Sequence, residues 1–357
     1  MDVRTALPEG TELRLEGRVF RIEACAGRGA SALVYRASYE DAAQPGLFHR
    51  VLLKELFPWH PQGVIRRGAS GEILCGPEGE ALFETHRQSF LRAARIHVRL
   101  QEARADKTPA NLDTCRANGT LYAVMSDGGA KTLADVLSEG RVPLPAMTAW
   151  LLSLLYTLRV FHGEGLLHLD VSPDNILLQP LDEGKPEKFR EVLLIDYNSA
   201  WSADELAARR ELFLSLKEPW SAPELQLRDV AAVGPASDLY SVCMIFLQYL
   251  LGYPPVRQAV WRRVPPIAGS PALTGCSAVV FHQAASILRR GLKASPGQRF
   301  RSAQEAIAAF SELLDRLEHG GVTHGAVWEA SAARLRAERS RMPSAAEWEE
   351  LAEERAS

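Results

Sequence analysis

Four short segments, in a fixed order along the chain, most limit the structures that this sequence can adopt: GRGASALVY, VLLKEL, HLDVSPDNILL and LLIDYNSA. A glycine-bearing turn lets backbone N–H groups approach phosphate, and a buried lysine offers phosphate a point charge. Carboxylates together with an amide hold a divalent metal ion. The four segments therefore predict a nucleotide site assembled from distant parts of the chain.

Length, charge and cysteine usage exclude several classes of protein. The chain has 357 residues, enough for two lobes and a tail, and its net charge of −3 does not indicate a nucleic-acid partner. Its cysteines are odd in number and never form a C-x-x-C pair, which argues against a disulfide framework and a zinc module. The N-terminus lacks the pattern of a secretory signal. The longest apolar run, LYSVCMIFLQYLLG, is too short for a membrane span and predicts a buried helix. We therefore expect a cytoplasmic protein with no membrane span.

Hydrophobic periodicity divides the chain into two parts. The first third predicts strands, with a hairpin at Asn118-Gly119 and one amphipathic helix over residues 80–104. The segment PWHPQGVIRRGASGEILCGPEG predicts irregular structure. From about residue 132 the pattern is mainly helical, and short strands return only at ILLQP and VLLIDYNSA. The sequence thus predicts a sheet-rich front lobe with one helix, a strand pair at the cleft and a helical back lobe.

The four segments, taken with SAPEL and GPASDLYSVCMIFLQYLLG, resemble the signature of eukaryotic-like (Hanks-type) protein kinases over roughly residues 15–317. This resemblance implies an α+β, bilobal protein kinase-like fold. It assigns residues 1–126 to the N-lobe and 127–317 to the C-lobe, and leaves 318–357 as a polar helical C-terminal extension. The segments LLKELFP, VIRRGASGEI and LSLKEPWSAPELQ resemble a bacterial branch of the family.

The resemblance also implies ATP and Mg²⁺ as cofactors, a protein substrate and a set of site residues. Asp170 is implied as the catalytic base, and Asn175 and Asp196 as the magnesium ligands. Lys54 is implied to contact the α- and β-phosphates, and Met125 to be the gatekeeper. The nucleotide-binding residues implied are Gly27, Gly29, Ala32, Val34, Lys54, Met125 and Leu177.

Three further pairings are implied outside the nucleotide site. Glu224 of SAPEL is expected to pair with Arg299, and Asp238 is expected to brace the catalytic loop from a buried helix. His168 is expected to pack against Tyr197 and to take no part in proton transfer.

The chain departs from the family pattern at the lysine and its surroundings. The helix that should present a glutamate to Lys54 has Ala93 at that position, and Glu84 and Glu102 project to the opposite helix face. Lys54 must then be positioned by phosphate, by Asp196 or poorly. Leu52 stands where the family usually has alanine, so it either narrows the adenine pocket or is accommodated by repacking.

The catalytic loop and the metal motif also differ. Leu169 replaces the arginine before the catalytic aspartate, which makes this a non-RD sequence without that receptor for an activation-loop phosphate. The metal motif is DYN, with Asn198 in place of glycine. Asparagine adopts positive φ more readily than most residues, so we expect this change to be mild.

A charge exchange is suggested by two positions near Asp170. Ser172 stands where serine/threonine kinases usually carry a lysine, and Lys217 stands where they carry a threonine. We hypothesise that Lys217 reaches into the site and supplies the missing positive charge as a catalytic residue. The alternative is an exposed lysine of the activation segment.

Three functions remain open from the sequence. The first is an ATP- and magnesium-dependent serine/threonine protein kinase, which the retained phosphate and metal residues favour. The second is a pseudokinase that serves as a binding or scaffold module, which Ala93 and Leu52 favour. The third is a kinase-fold nucleotidyltransferase that transfers AMP.

Overall fold

The alternating apolar residues around GRG form a β-hairpin that belongs to a larger antiparallel sheet. The computed structural model describes residue 2 and residues 4–102, 111–127, 131–140, 142–180, 189–208, 216–256, 260 and 263–319. The strands of the first lobe are β1 (Glu12–Leu15), β2 (Arg18–Arg28), β3 (Ala32–Glu40), β4 (Phe48–Leu56), β5 (Ile65–Arg67), β6 (Ile73–Cys75), β7 (Asn111–Ala117) and β8 (Thr120–Ser126). Six of them form one sheet in the order β1-β2-β3-β4-β8-β7.

The two faces of strand β4 have different surroundings. Val51, Leu53 and Glu55 are buried in the core of the first lobe, as the period of two in a strand predicts. Leu52 and Lys54 point to the opposite face and are half-buried. One face of the sheet thus packs in the core of the first lobe, and the other face lines the cleft.

Two hairpins test the sequence predictions in this lobe. The turn between β7 and β8 is Asn118-Gly119, with φ of 49° and 69°, so the predicted hairpin is confirmed. The prediction of irregular structure after β4 is wrong at β5 and β6, which pair as a short hairpin. Buried Ile65 and Ile73 fix this hairpin against the lobe core, and these contacts are not visible in a turn-rich sequence.

A buried polar cluster lies on the core-facing side of β4, around Glu55. The fully buried Glu55 carboxylate accepts hydrogen bonds from Arg67 at 2.5 and 3.0 Å, from the Tyr35 hydroxyl at 2.9 Å and from the Tyr122 hydroxyl at 2.6 Å. A buried charge is tolerated when its partners satisfy it in this way. Because Glu55 is adjacent to Lys54, the cluster fixes the strand that presents the lysine to the cleft.

The second lobe is mainly helical. Helix α1 (Glu80–Glu102) belongs to the first lobe. The helices of the second lobe are α2 (Leu133–Glu139), α3 (Leu144–Gly163), α4 (Ala203–Ala207), α5 (Pro223–Gln226), α6 (Pro235–Leu251), α7 (Ala278–Gly291) and α8 (Ala303–His319). Its short strands are β9 (Lys131–Thr132), β10 (Leu166–Leu167), β11 (Ile176–Pro180), β12 (Phe189–Leu194) and β13 (Trp201–Ser202). The predicted strand pair is confirmed as the antiparallel ladder of β11 and β12.

The helices α3 and α6 form the centre of this lobe. The prediction of a buried helix at LYSVCMIFLQYLLG is confirmed by α6, which is buried over most of its length. Among the described residues, α3 is long and apolar enough to cross a membrane, but 89% of the relevant window is buried inside the lobe. A helix in a protein core can be equally long and apolar, so these two properties are weak evidence of a membrane span. The predicted C-terminal extension lies outside the described residues, apart from the end of α8.

Candidate active site

The cleft-facing side of the sheet brings several predicted nucleotide-binding residues into one patch. Val34 of β3 is in register with Lys54 of β4, which is in register with Ala123 of β8. Leu52 is in register with Met125, and both side chains are half-buried. Residues opposite each other on antiparallel strands project to the same face. This patch is therefore one wall of the cleft, and Leu52 belongs to it.

The glycine-bearing turn joins β2 to β3 above this wall. Gly27 is in register with Val34 next to a bulge, and the Gly29 N–H donates to the Ala32 carbonyl at 2.9 Å. A Cβ atom at Gly27 would meet only the Val34 Cβ at 3.8 Å, and one at Gly29 only the Ala32 carbonyl oxygen at 3.7 Å. The fold does not require glycine at either position. The absence of side chains here leaves the backbone open to a ligand, as phosphate binding needs.

The catalytic loop has a strained backbone conformation that hydrogen bonds to α6 stabilise. Leu169 has φ of 61°, a value that costs a residue with a Cβ about 1–3 kcal/mol. The Asp238 carboxylate of α6 accepts the backbone N–H of Leu169 at 2.8 Å and that of His168 at 3.0 Å. The bracing role expected for Asp238 is thereby confirmed. Burial alone would raise the pKa of Asp238, but the hydrogen bonds from the His162 ring and from the His168 backbone hold it below its usual value.

The ring of His168 has a structural position. It meets the Tyr197 ring edge-to-face with centroids 5.7 Å apart, which confirms the expected packing. Its Nε2 donates to the Ile195 carbonyl at 3.1 Å, and its Nδ1 accepts the Asp170 backbone N–H at 3.3 Å. Burial lowers the pKa of His168, so the ring is neutral and both nitrogens are engaged.

Asp170 and Asn175 form one unit at the head of the loop. The Asn175 amide donates to the Asp170 backbone carbonyl at 2.8 Å and to its Oδ2 at 2.9 Å. The other carboxylate oxygen, Oδ1, is buried and accepts no hydrogen bond from a described residue. Burial raises the pKa of Asp170 to about 7; the Lys217 charge opposes this rise and the Asp196 charge adds to it. Asp170 Oδ1, which has no donor among the described residues, therefore has the proton affinity of a general base.

Lys54 is positioned by Asp196. Its Nζ lies 2.8 Å from Asp196 Oδ1, and the lysine side chain is 15% exposed. Although burial by itself raises the pKa of Asp196, the Lys54 ammonium holds it below its usual value. Ala93 lines a cavity of about 50 Å³ together with Lys54 and Asp196. Of the three possibilities left by the sequence, the structure shows the pairing with Asp196.

The chemistry of the two implied metal ligands fits magnesium. Lys54 and the Asn198 N–H both engage Asp196 Oδ1, which leaves Oδ2 for a cation. Asn175 donates through its amide nitrogen, which turns its Oδ1 away from Asp170. No group of three or more His, Cys, Asp or Glu side chains suited to a metal occurs among the described residues. Magnesium commonly binds through one or two protein oxygens, with water and phosphate completing its shell, so this smaller donor set suits it.

Lys217 reaches the catalytic loop. Its Nζ donates to the Ser172 hydroxyl and to Asn175 Oδ1, each at 3.2 Å, and lies 3.8 Å from the Asp174 carboxylate. The backbone N–H of Lys217 donates to the Ser221 hydroxyl at 2.9 Å, which fixes the chain where it enters the site. These contacts place an ammonium group within the loop that carries Asp170. The Lys217 side chain is 31% exposed, so it differs from the alternative of an exposed lysine of the activation segment.

The remaining predicted nucleotide-binding residues lie near these groups. Ala32 begins β3 and is buried, and Leu177 follows Asn175 by two residues on β11 and is half-buried.

The DYN motif contains a contact that the sequence did not reveal. The positive φ in this motif belongs to Asp196 at 65°, and Asn198 lies in a 3-10 turn, so the structure does not use the tolerance of asparagine for positive φ at this position. Its amide instead donates to the Ser31 hydroxyl at 3.3 Å, across the cleft at the tip of the glycine-bearing turn. The other missed residue is Arg92, which contacts the same segment from α1. Neither contact has a spacing signal, because each joins residues more than 100 positions apart.

Comparison with known proteins agrees with the fold and the site residues described above. The protein kinase domain family matches residues 85–300, more than half of the chain. The human serine/threonine-protein kinase PAK 4 is 30% identical over 137 residues, and sid1 of Schizosaccharomyces pombe is 28% identical over 142 residues. These regions cover 38% and 40% of this chain and only 21% and 28% of those relatives.

A solved structure resembles nearly the whole fold. The PknI kinase domain of Mycobacterium tuberculosis, as a double mutant, matches with a TM-score of 0.58 and 21% identity. The match covers 87% of this chain and 100% of that domain. The same domain without those substitutions matches with a TM-score of 0.52. At this level of identity, the match describes the shared fold.

Proposed function

The chain belongs to the protein kinase family, and we propose that it transfers the γ-phosphoryl group of ATP to a serine or threonine hydroxyl of a protein substrate. The names of the curated relatives support this acceptor class. The observation that carries the proposal is the buried Oδ1 of Asp170, which accepts no hydrogen bond from the described residues, together with burial that raises the pKa of this carboxyl to about 7. We further propose a cytoplasmic enzyme of the bacterial branch.

The site residues divide the work of phosphoryl transfer. Asp170 Oδ1 accepts the hydroxyl proton of the substrate as the oxygen attacks phosphorus. Lys54 and the open backbone at Gly27 and Gly29 hold the phosphates of the nucleotide, and Val34, Met125 and the half-buried Leu177 contact its base. The contacts of Lys54 with Asp196 support this arrangement, because they aim the ammonium into the cleft.

Asn175 and Asp196 would hold magnesium, which neutralises charge on the phosphates when bound. The Asn175 amide nitrogen keeps Asp170 oriented. Its Oδ1 accepts a hydrogen bond from Lys217 Nζ at 3.2 Å and would exchange this bond for the cation. Lys217 adds a second positive charge on the catalytic-loop side, in the role that Ser172 does not fill. We propose that it stabilises the negative charge on the transferred group.

The proposal is tested by labelled transfer to dephosphorylated casein. We expect the label of γ-labelled ATP to reach casein in the presence of Mg²⁺, and the label of α-labelled ATP to remain in solution. Asp196→Ala removes a metal ligand and the Lys54 partner, so transfer should fall by at least about 10²-fold. Asp204→Ala, an exposed carboxylate on α4, is the matched control and should retain transfer.

Two results would contradict the proposal. Transfer of the α label, lost in Asp196→Ala, would identify a nucleotidyltransferase. A thermal shift with ATP and Mg²⁺, without transfer of either label to casein or to the chain itself, would identify a pseudokinase.

Replacement of Lys217 tests its charge separately. Lys217→Ala should lower kcat by on the order of 10²-fold, the scale of losing one preorganised charge at the transferred group. Because the Lys217 charge lowers the pKa of Asp170, the pH dependence of the remaining activity should also move to higher pH. Lys293→Ala, an exposed lysine outside the site, should change neither quantity. An unchanged kcat in Lys217→Ala would assign the lysine a role in loop structure alone.

A further inference from the structure

Arg92 of helix α1 contacts the chain shortly after Asp196, an implied metal ligand. The Arg92 side chain donates from Nε to the Ala200 carbonyl at 2.9 Å and from Nη2 to the Asn198 carbonyl at 3.1 Å. Its guanidinium carbon lies 3.6 Å from the centre of the Trp201 ring. Two forked hydrogen bonds combined with stacking on an aromatic ring are specific to arginine, because a lysine offers only a point charge. We refer to Asn198–Trp201 as the clamped segment.

A second contact of α1 lies one turn further along the helix. The ring of buried His97 lies 5.0 Å from that of Tyr197. Residues four apart share one face of a helix, so Ala93 faces the same way as His97. Ala93 therefore lies between the two contacts and opens onto the cavity that it shares with Lys54 and Asp196. A longer carboxylate at this position would extend into that cavity.

Asp196 depends on its neighbours for its position. It has φ of 65°, a left-handed conformation that surrounding structure must maintain. Among the described residues, Asp196 is the carboxylate that pairs with Lys54, so α1 has no charged bond of its own to the lysine. What α1 holds instead is the backbone two and four residues after Asp196.

We propose that Arg92 is a positioning residue that holds the clamped segment on α1, in place of the carboxylate that the chain lacks at Ala93. By fixing the backbone after Asp196, it keeps this carboxylate on Lys54 and directed at the metal. The inference rests on the proposed phosphoryl transfer for its kinetic consequence, but its structural content does not. Arg92 donates to backbone carbonyl groups, so these hydrogen bonds do not depend on which side chains stand at positions 198 and 200.

The kinetic test compares Arg92→Met with Arg95→Met, an exposed arginine three residues further along the same helix. Arg92→Met should lower kcat by on the order of 10²-fold, the effect of a displacement of about 1 Å in a catalytic group. The KM for ATP should change much less, because the cleft wall is untouched. Arg92→Lys should recover only part of the loss, and it serves as the second variant if Arg92→Met does not fold. Arg95→Met should behave as the unmodified chain.

Amide hydrogen exchange provides a readout that does not require activity. Arg92→Met should speed exchange across the clamped segment and leave α6 and α8 unchanged, while Arg95→Met should change none of these regions. Faster exchange in a chain that transfers no phosphoryl group would support the positioning role and refute the proposed function. Normal exchange and normal kcat in Arg92→Met of an active chain would refute the positioning role alone.

A double variant tests the replacement of the missing carboxylate. Ala93→Glu supplies a partner for Lys54, so Arg92→Met should cost at least threefold less in this background than in the unmodified one, as for coupled sites. An equal loss in both backgrounds would show that Arg92 acts independently of the pairing at Lys54, which overturns the inference.

Discussion

Asp170→Asn is expected to lower kcat for phosphoryl transfer by about 10²–10⁴-fold, the usual contribution of a general base. The substitution preserves shape and leaves Oδ1 as an amide or carbonyl group that cannot take a proton. Asn175 loses one charged acceptor at 2.9 Å but keeps its bond to the backbone carbonyl of residue 170 at 2.8 Å. The loop should therefore remain folded, and the loss should appear in kcat rather than in nucleotide binding.

The pH dependence gives this prediction a sign. Burial, with the Asp196 charge added to it, raises the pKa of Asp170 to about 7 in the free protein. A base works only when ionised, so kcat/KM should rise with pH below about 7 and level off above it. The same shift affects stability: the folded state holds this proton more tightly than the unfolded chain, so the contribution of Asp170 to stability falls as pH rises from about 4 to about 7.

The matched control is Asp204→Asn, which removes the same charge from an exposed position on α4. It should retain both kcat and the rise of kcat/KM with pH. If Asp170→Asn kept kcat within a few-fold of the unmodified chain, another group would have to accept the proton. A pH profile that stayed unchanged in Asp170→Asn would lead to the same conclusion.

Local sequence signals are sufficient to predict the structure wherever interactions between residues close in sequence determine it. Asn118-Gly119 adopts the positive φ values that its residue types favour. The periodic apolar residues of α1 and the continuous apolar run of α6 form the helices that they predict. The order of the catalytic segments placed Lys54 near Asp196, although 142 residues separate them. That placement followed from a family signature and not from any propensity.

Tertiary contacts without a signature could not be predicted. Arg92 has the appearance of one more charged residue on an amphipathic helix, and its role appears only when the carbonyl of Ala200 lies beside it. The hairpin in the turn-rich segment after β4 is held by buried Ile65 and Ile73 and by Arg67, which reaches the buried Glu55. The backbone preference of Asn198 gives no indication of its side-chain hydrogen bond to Ser31. Each case depends on a partner that only the fold brings near.

Arg299→Met is expected to reduce the free energy of unfolding by about 3–5 kcal/mol, because it leaves the Glu224 carboxylate buried without its counter-charge. The pair, which confirms the pairing expected from SAPEL, has two parallel bonds of 2.8 Å, and both side chains are at most 3% exposed. Arg299 also donates to the carbonyl groups of Lys293 at 2.6 Å and Ala294 at 2.7 Å, so it joins α5 to the loop before α8. Urea titration should show the loss, and thermal unfolding should show a Tm lower by roughly 6–20 °C.

Two comparison variants separate charge burial from the loss of an arginine side chain. Arg290→Met breaks a solvent-exposed pair with Glu305, whose side chains are 46% and 38% exposed, and should cost no more than about 1 kcal/mol. Glu224→Leu combined with Arg299→Met removes both buried charges and should recover a large part of the stability lost in Arg299→Met, since an apolar pair needs no desolvated partner. If the double variant were less stable than Arg299→Met, the loss would come from the carbonyl bonds of Arg299 and not from the stranded carboxylate. An Arg299→Met chain as stable as Arg290→Met would refute the cost of a buried carboxylate without its counter-charge.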